Sequence, residues 1–357
     1  MASAKSGQGP DIGIMGSGAI GLYVGGMLAQ GGARVAFAAR GRTLQALGRG
    51  LAVSRHDGFK AELKPNRYAA GPADSLAGCD VVLFCTKSGD TEAAARDLAA
   101  SIRPGASVIS LQNGVGNVEL LRSLLPDHEI VAGTVPFNVV RLSPNAVHCS
   151  MEGAVLVGPS GASVGLVAVA NAAGLKLQVR ADIDAVQWGK LLLNLNNGLN
   201  VLSGLPLRRQ FEDPGYRHVL AMAMEELLAA LDAAGIRAVG ATRTSPRLIP
   251  KVLRLPTWLF RIVARQQLRM DDTARSSSWD DLQAGRAPET LFLNGAVSTL
   301  ARAHGRTAPV NDLICRLVDA AFAAGASPKM PGVDLLELAS EAMSARPSVQ
   351  VDRPSAN

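Results

Sequence analysis

At 357 residues the chain is longer than most single hydrophobic cores, and a prior of roughly 150 residues per domain implies two domains. Hydrophobic residues at 48% and charged residues at 18% fall in the globular range and exclude a largely disordered chain. A net charge of +6 raises the question of nucleic acid, but aromatics are only 4% and the basic residues mostly do not alternate with them; small anionic ligands account for the charge equally well, and no nucleic-acid partner is expected.

Residues 1–10 (MASAKSGQGP) carry no apolar stretch, so they read as a disordered leader, neither a secretory signal nor a membrane anchor. Ile12 to Met15 is a short apolar run ending at Gly16, and Ala19 to Gln30 has helical composition and stops at Gly31-Gly32. Arg34 to Ala39, Val81 to Thr86 and Ala106 to Leu111 are further apolar runs of the kind that parallel strands buried on both faces produce. A crossover helix is predicted over Asp90 to Ile102, with Asp90 at its N-cap and Pro104-Gly105 as its stop. This alternation predicts an α/β fold, a Rossmann-type doubly wound parallel sheet, with Val135 to Val157 as residual strands that complete it.

From Asp184 onward the pattern changes to long helical periods. Tyr216 to Ala234 lines Leu220, Met224, Leu227, Leu228 and Leu231 along one side and closes at Gly235; Glu289 to His304 and Pro309 to Ala324 are further predicted helices. The expected organisation is therefore a leader at 1–10, a dinucleotide-binding domain at 11–182, an all-α C-terminal substrate and catalytic domain at 183–344, and a disordered tail at 345–357. Within the helical half, residues 233–270 hold no acidic residue but do hold Arg237, Arg243, Arg247, Lys251, Arg254, Arg261, Arg265 and Arg269. The same segment contains Leu255, Trp258, Leu259, Phe260, Ile262 and Val263, which fits a helix packing on the body, or a surface for anionic lipid or a protein partner. No membrane association is otherwise expected.

Cys79, Cys85, Cys149 and Cys315 are too few for a disulfide framework and form no Cys-x-x-Cys, which points to a reducing cytoplasm. The five histidines show no metal-ligand spacing with one another or with the cysteines, so no metal is predicted.

Gly16-Ser17-Gly18-Ala19-Ile20-Gly21 is a Gly-x-Gly-x-x-Gly placed after the first strand and opening the first helix. The first glycine permits the tight turn, the second lets the backbone approach a pyrophosphate, and the third allows close packing, with the helix N-terminus facing the phosphates. At the end of the second strand no acid is present to accept from a ribose 2′-hydroxyl; Arg40 stands there, with Arg42 two residues on, and a guanidinium suits the 2′-phosphate of NADP. A surface arginine in a solvated loop is the plain alternative. Two loops fall at the carboxyl ends of strands, Thr86-Lys87-Ser88 and Gln112-Asn113-Gly114-Val115-Gly116; Lys87 could neutralise phosphate, and Asn113 offers an amide near a nicotinamide.

In Trp188-Gly189-Lys190-Leu191-Leu192-Leu193-Asn194, Lys190 and Asn194 are neighbours on one helix face. A lysine beside three leucines either snorkels to solvent or points into a functional cleft. Ser276-Ser277-Ser278 and Glu289 read in isolation as an N-cap cluster and a first-turn acid.

Taken in order, these segments resemble the ketopantoate reductase (2-dehydropantoate 2-reductase) family. The resemblance runs from about Ile12 to Ala324 and also includes Cys-Thr-Lys-Ser at 85–88, Arg275 through Glu289, and Ala-His-Gly-x-x-x-Pro-Val-Asn at 303–311. It implies a 6-phosphogluconate-dehydrogenase-like organisation and reduction of 2-dehydropantoate to pantoate by NADPH, for pantothenate and coenzyme A biosynthesis, or of a related 2-oxo acid. Lys190 matches the family's general acid. Asn113 matches a contact to both nicotinamide and substrate, Lys87 and Glu289 border the cofactor, and Val139 falls at a backbone contact to it. Asn194 and Ser277 match substrate contacts. The family's second asparagine, eight positions after the lysine, is replaced by Gly198, so that Asn197 or Asn200 would have to substitute; Pro288 to Leu291 also departs from the usual pattern, and 243–270 is longer than in compact members. A β-hydroxyacid dehydrogenase of the 3-hydroxyisobutyrate type and a non-catalytic NADP-binding sensor are the alternatives, and a homodimer is expected from helical second domains of this kind.

Overall fold

The computed structural model describes residues 9–240, 245–265, 268 and 272–345. The chain divides into two compact units, Met1–Leu191 with Arg237–Arg243, and Leu192–Ile236 with Thr244–Asn357. All of the expected leader but Gly9 and Pro10, and all of the expected tail but Ala345, lie outside the described residues, as do Arg243 and Arg269.

The first unit runs β1 (Ile12–Met15), α1 (Ala19–Gln30), β2 (Val35–Ala38), α2 (Gly41–Leu47), β3 (Leu51–Arg55), β4 (Lys60–Leu63), β5 (Ala69–Gly71), β6 (Val81–Phe84), α3 (Thr91–Ala99), β7 (Ser107–Ser110), α4 (Asn117–Leu124), β8 (Glu129–Thr134), β9 (Val139–Ser143), β10 (Ala146–Cys149), β11 (Val155–Val157), α5 (Gly161–Ala172) and β12 (Leu177–Val179). It closes with the first turns of α6 (Ile183–Asn194). The main sheet has eight strands in the order β12-β11-β8-β7-β6-β1-β2-β5. From β5 to β8 every pairing is parallel, and only β8 with β11 is antiparallel. The strand order turns back on itself beside β1, the switch point at which doubly wound sheets hold their ligands. Alternation explains the continuous apolar runs. Ile12, Ile14, Leu83, Ile109 and Val131 enter the core shared with α1 and α5, while Met15, Phe84, Val108, Ile130 and Ala132 enter the one shared with α3 and α4.

Two details depart from the sequence expectation. Of the strands expected between Val135 and Val157, only β11 joins the main sheet; β9 and β10 pair with β3 and β4 in a separate four-stranded sheet, order β4-β3-β10-β9, which packs on α1. That packing requires small residues, since a Cβ on Gly25 would stand 2.5 Å from the Phe37 ring and one on Gly26 would stand 2.6 Å from Val53. The crossover helix begins with a 3-10 turn at Ser88–Asp90, and the Asp90 side chain makes no capping bond; instead the Thr91 hydroxyl donates to Ser88 O at 2.9 Å.

The second unit is helical throughout: α7 (Asn196–Ser203), α8 (Leu207–Glu212), α9 (Pro214–Ala234), α10 (Ile249–Leu253), α11 (Thr257–Val263), α12 (Ser277–Gln283), α13 (Asn294–Ala303), α14 (Pro309–Ala324) and α15 (Gly332–Ser344). The long α9, ended by Gly235 at φ 67°, carries α10, α13 and α15 on its sides. The helix expected over Glu289 to His304 is broken. A 3-10 turn covers Thr290–Phe292, Leu293 leaves helical geometry at φ −110°, ψ −97°, and α13 starts only at Asn294, so that Leu293 and Asn294 both point inward.

Three of the arginines in the acid-free basic stretch pair with acids from outside it. Arg247 pairs with Asp232 at 3.0 Å and Arg254 with Glu225 at 2.7 Å, both on α9, and Arg261 with Glu212 at the end of α8 at 3.5 Å. Exposed pairs of this kind contribute only about 0–1 kcal/mol each. The stronger tie is Arg217 of α9, which is 1% exposed and bonds backbone carbonyls. It donates to Leu253 O at 3.1 Å, Phe211 O at 2.9 Å and Leu255 O at 3.1 Å, and its guanidinium lies 4.5 Å from the Phe260 ring centroid. Leu253 and Phe260 turn inward, whereas Trp258 and Ile262 stay exposed. Arg217→Ala strands several buried carbonyls, each worth about 1–3 kcal/mol, and should destabilise the second unit by roughly 3–5 kcal/mol in urea unfolding. Arg217→Lys should recover only part of that, because an ammonium does not reproduce the planar fork.

Candidate active site

The glycine turn carries the phosphate end of the site. Gly16 adopts φ +103°, and a Cβ there would lie 2.6 Å from the amide of Thr86, so only glycine lets the β1 turn close against the loop after β6. A Cβ on Gly21 would lie 2.0 Å from Gly16 O. Gly18, by contrast, faces open space, with nothing within 4 Å of a Cβ. Gly18 is also the N-cap of α1 and supplies no side-chain cap. The first amides of α1, those of Ala19, Ile20 and Gly21, have no acceptor within the helix, which makes this end a seat for a pyrophosphate. Ser17 Oγ donates to Ala38 O at 2.7 Å and fastens the turn to the end of β2. The residues present therefore fit a dinucleotide.

Arg40 stands just past β2, at the N-cap of α2. Its side chain is largely exposed and ion-pairs with Asp97 of α3, a surface contact weak enough for a phosphate to displace. Val139 opens β9 and is buried in the core with α1, in the smaller sheet.

The reactive end is built where β6, β7 and β8 finish. Lys190 sits in the third turn of α6, whose first turns are anchored three ways: Ile183 and Val186 enter the sheet core, Gln187 Nε2 donates to Gly133 O at 3.0 Å, and Val239 N donates to Ala185 O at 2.9 Å. Gly189 allows the last of these, since a Cβ there would stand 1.9 Å from Val239 O. With α6 so placed, Lys190 does not snorkel outward. Its Nζ donates to Asn113 Oδ1 and to Val135 O, both at 2.7 Å, and the exposed member of the neighbouring leucines is Leu193. Lys87 caps the 3-10 turn after β6. The turn, the two loops and Lys190 thus lie together in the first unit.

In the second unit, α12 packs on α7 and brings Asn197 and Ser277 into one neighbourhood. Ser276 caps α12, its Oγ accepting from Trp279 N at 3.2 Å, while its own amide donates to Asn200 Oδ1 at 2.9 Å. Asn200 is fully buried and donates to Leu205 O and Gln210 Oε1. Asn197 is half-buried. Asn194 ends α6, and Glu289 is buried at the head of its 3-10 turn. Sequence reasoning missed the Val135 carbonyl, which no side-chain pattern announces. It also missed the buried polar group of Ser88, Thr91, Gln112 and Asn117, whose only signal was polar residues at the ends of apolar strands.

A doubly wound sheet with this glycine turn and a lysine held at the strand ends defines a nicotinamide-dinucleotide-dependent oxidoreductase. The chain belongs to the ketopantoate reductase family. Residues 12–161 match the family description "Ketopantoate reductase PanE/ApbA", and 182–322 match its C-terminal part. It is similar to a 2-dehydropantoate 2-reductase of Halobacterium salinarum, 30% identical over 315 residues, spanning 85% of this chain and 96% of that one. A 2-dehydropantoate 2-reductase of Archaeoglobus fulgidus is 28% identical over 85% of this chain and 95% of its own. Among solved structures, a PanE/ApbA family ketopantoate reductase from Ralstonia eutropha JMP134 superposes with a TM-score of 0.77 at 30% identity, covering 88% of this chain and 99% of that one.

Burial holds three of the four cysteines in the thiol form. Cys85 leads into the Thr86–Ser88 loop, yet burial pushes its thiol up to about 12; burial likewise raises Cys79 to about 11 and Cys315 to about 12. With folded values this high, thiolate is nearly absent below pH 9. At pH 8 iodoacetamide should leave these three residues unmodified in the native protein, while the urea-unfolded chain alkylates at all of them. Rapid native labelling of Cys85 would contradict the closed packing around the loop.

Proposed function

We propose that the protein reduces 2-dehydropantoate to pantoate with NADPH, in the route to pantothenate and coenzyme A, with Lys190 as the proton donor. The observation that carries this reading is the Lys190 ammonium held 2.7 Å from Asn113 Oδ1 and from Val135 O at the strand ends. When bound, NADPH supplies the hydride that reaches the C2 carbonyl carbon. Lys190 presents a proton to the carbonyl oxygen as charge develops there, and that oxygen, still bonded to C2, becomes the hydroxyl of the product. A positioned general acid of this kind is worth about a hundred- to ten-thousand-fold. Asn113 orients the lysine and borders both nicotinamide and substrate. Asn194, Asn197 and Ser277 hold the polar ends of the 2-oxo acid, Lys87 and Glu289 flank the cofactor, Val139 contributes a backbone contact, and Arg40 takes the 2′-phosphate, which is what selects NADPH over NADH.

The domain division proposed is a dinucleotide-binding 11–182 and a substrate-binding, helical 183–344. Among the described residues no helix is long and apolar enough to cross a membrane, and the four cysteines are free, which supports a cytoplasmic protein. We extend the proposal to a homodimer, the state named for a ketopantoate reductase of Staphylococcus aureus of the same fold.

Lys190→Ala should lower kcat on 2-dehydropantoate by at least about a hundredfold while the NADPH dissociation constant, followed by nicotinamide fluorescence, shifts less than about threefold. Undiminished turnover would remove Lys190 from the chemistry. Running NADPH oxidation against a panel of branched 2-oxo acids tests the substrate, and a different acid turned over faster than 2-dehydropantoate would replace it. Arg40→Ala should raise KM for NADPH by about tenfold, the loss of one charge-assisted pair, and leave the far weaker use of NADH unchanged.

A further inference from the structure

Behind Asn113 lies a cluster of buried polar side chains that the proton transfer itself does not use. Ser88 is 2% exposed, Thr91 0%, Gln112 4% and Asn117 3%. They lie in the loops after β6 and β7 and at the first residues of α3 and α4, and two of them meet on one atom. Asn117 Nδ2 donates to Asn113 O at 2.8 Å, and Ser88 Oγ donates to the same oxygen at 3.1 Å. A carbonyl has two lone pairs, so these two donors saturate it and fix the peptide plane that follows Asn113. Asn117 Nδ2 also reaches Ser88 Oγ at 3.1 Å, which locks the two donors to each other. Thr91 supports both: its hydroxyl lies 3.3 Å from Asn117 Oδ1 and accepts from Gln112 Nε2 at 2.7 Å. Gln112 Nε2 in turn lies 3.2 Å from Thr86 O, the loop that meets the glycine turn.

The loop needs such a hold. Gly114 and Gly116 adopt φ +78° and +91°, so the chain between β7 and α4 has no repeating backbone ladder to keep it in place. Packing alone does not call for a cluster of this polarity, because replacing a satisfied buried polar group with an apolar one of equal shape is often close to neutral. What the cluster does accomplish is directional. With its backbone clamped from behind, Asn113 has a fixed Cα from which its side chain extends, and its side-chain oxygen is the one accepting from Lys190 Nζ at 2.7 Å.

We infer that Asn117, supported by Ser88 and Thr91, is a positioning residue for the reduction: it acts through Asn113 to set the direction in which Lys190 presents its proton. The inference rests on the assignment of Lys190 as proton donor. It is tested by a double-mutant cycle in the full-length protein. Asn117→Ala should lower kcat by about tenfold or more with NADPH binding within about threefold, and in an Asn113→Ala background the same change should cost less than about twofold, since the path through Asn113 is already lost. The alkaline limb of the kcat profile, which reports the proton donor, should shift in Asn117→Ala and in Asn113→Ala alike. Should Asn117→Ala fail to fold, Asn117→Asp keeps the volume, removes the donation to Asn113 O, and carries the same cycle with the same expected losses. Losses of equal size in both backgrounds, or a stability change with no movement of the pH profile, would reduce Asn117 to a structural residue and overturn the inference. The two failures are separable: an unimpaired Lys190→Ala sinks the proton-donor assignment, whereas additivity with a dead Lys190→Ala sinks only the role of Asn117.

Discussion

Everything in the first unit that bears on chemistry depends on how one ammonium is held. Lys190 extends from a helix whose neighbouring Leu191 and Leu192 are fully buried, and a charge taken partly out of water there must find acceptors. It donates to an amide oxygen and to a backbone carbonyl, each at 2.7 Å. Both accept from the ammonium and so fix its direction at the strand ends. The placement costs backbone as well: Gly189 exists so that α6 can approach Val239, and Gln187 reaches to Gly133 to set the helix on the end of β8.

The cofactor end obeys a different constraint, closeness of backbone. Gly16 and Gly21 allow two approaches that any Cβ would block, and Gly25 and Gly26 allow α1 to lie between two sheets. One helix thereby receives its phosphate-facing end, its angle and its depth from four positions without side chains. The smaller sheet of β3, β4, β9 and β10 is then more than decoration. It covers the face of α1 that the main sheet leaves open, and the edge contact of Tyr23 with Phe137, with centroids 5.8 Å apart, closes that layer.

These two constraints also explain what could be read in advance. Strands β1, β6 and β7 were legible because burial on both faces forces unbroken apolar runs, and the glycine turn was legible because its spacing is dictated by backbone geometry. The hairpin of β3 and β4 was not, since only Leu51, Val53 and Leu63 are buried in it and the intervening residues are polar; its Asp57-Gly58 turn, with Gly58 at φ +90°, was the available sign. The direction of Lys190 lay beyond any local pattern, because the acceptors stand 77 and 55 residues away in the chain. Likewise the partners of Arg247, Arg254 and Arg261 could not be read within the basic stretch, because Asp232, Glu225 and Glu212 precede it on α9 and α8. Cofactor class and fold follow from local rules, whereas the polar geometry of the site is a tertiary product.

The second unit shows why a departure at one position need not be a loss of function. Gly198 replaces the asparagine that the family pattern leads one to expect, and α7 there lies against α14: a Cβ would meet Ile314 Cγ2 at 2.8 Å and Asn294 Oδ1 at 3.3 Å. Ile314 is itself fully buried, and α14 is held firmly, its first amides bound by Glu226 through Val310 N at 2.8 Å and Asn311 N at 3.0 Å. Burial pushes the Glu226 carboxyl up despite those bonds, the mark of a cap set inside the helical packing rather than on its surface. Asn311 then links Glu226 to Asn294. Glycine at 198 and isoleucine at 314 are thus one packing solution: a larger residue at the first requires a smaller one at the second, or a shift of a helix that Glu226 fixes. Asn197, one residue earlier on α7, is half-buried rather than enclosed.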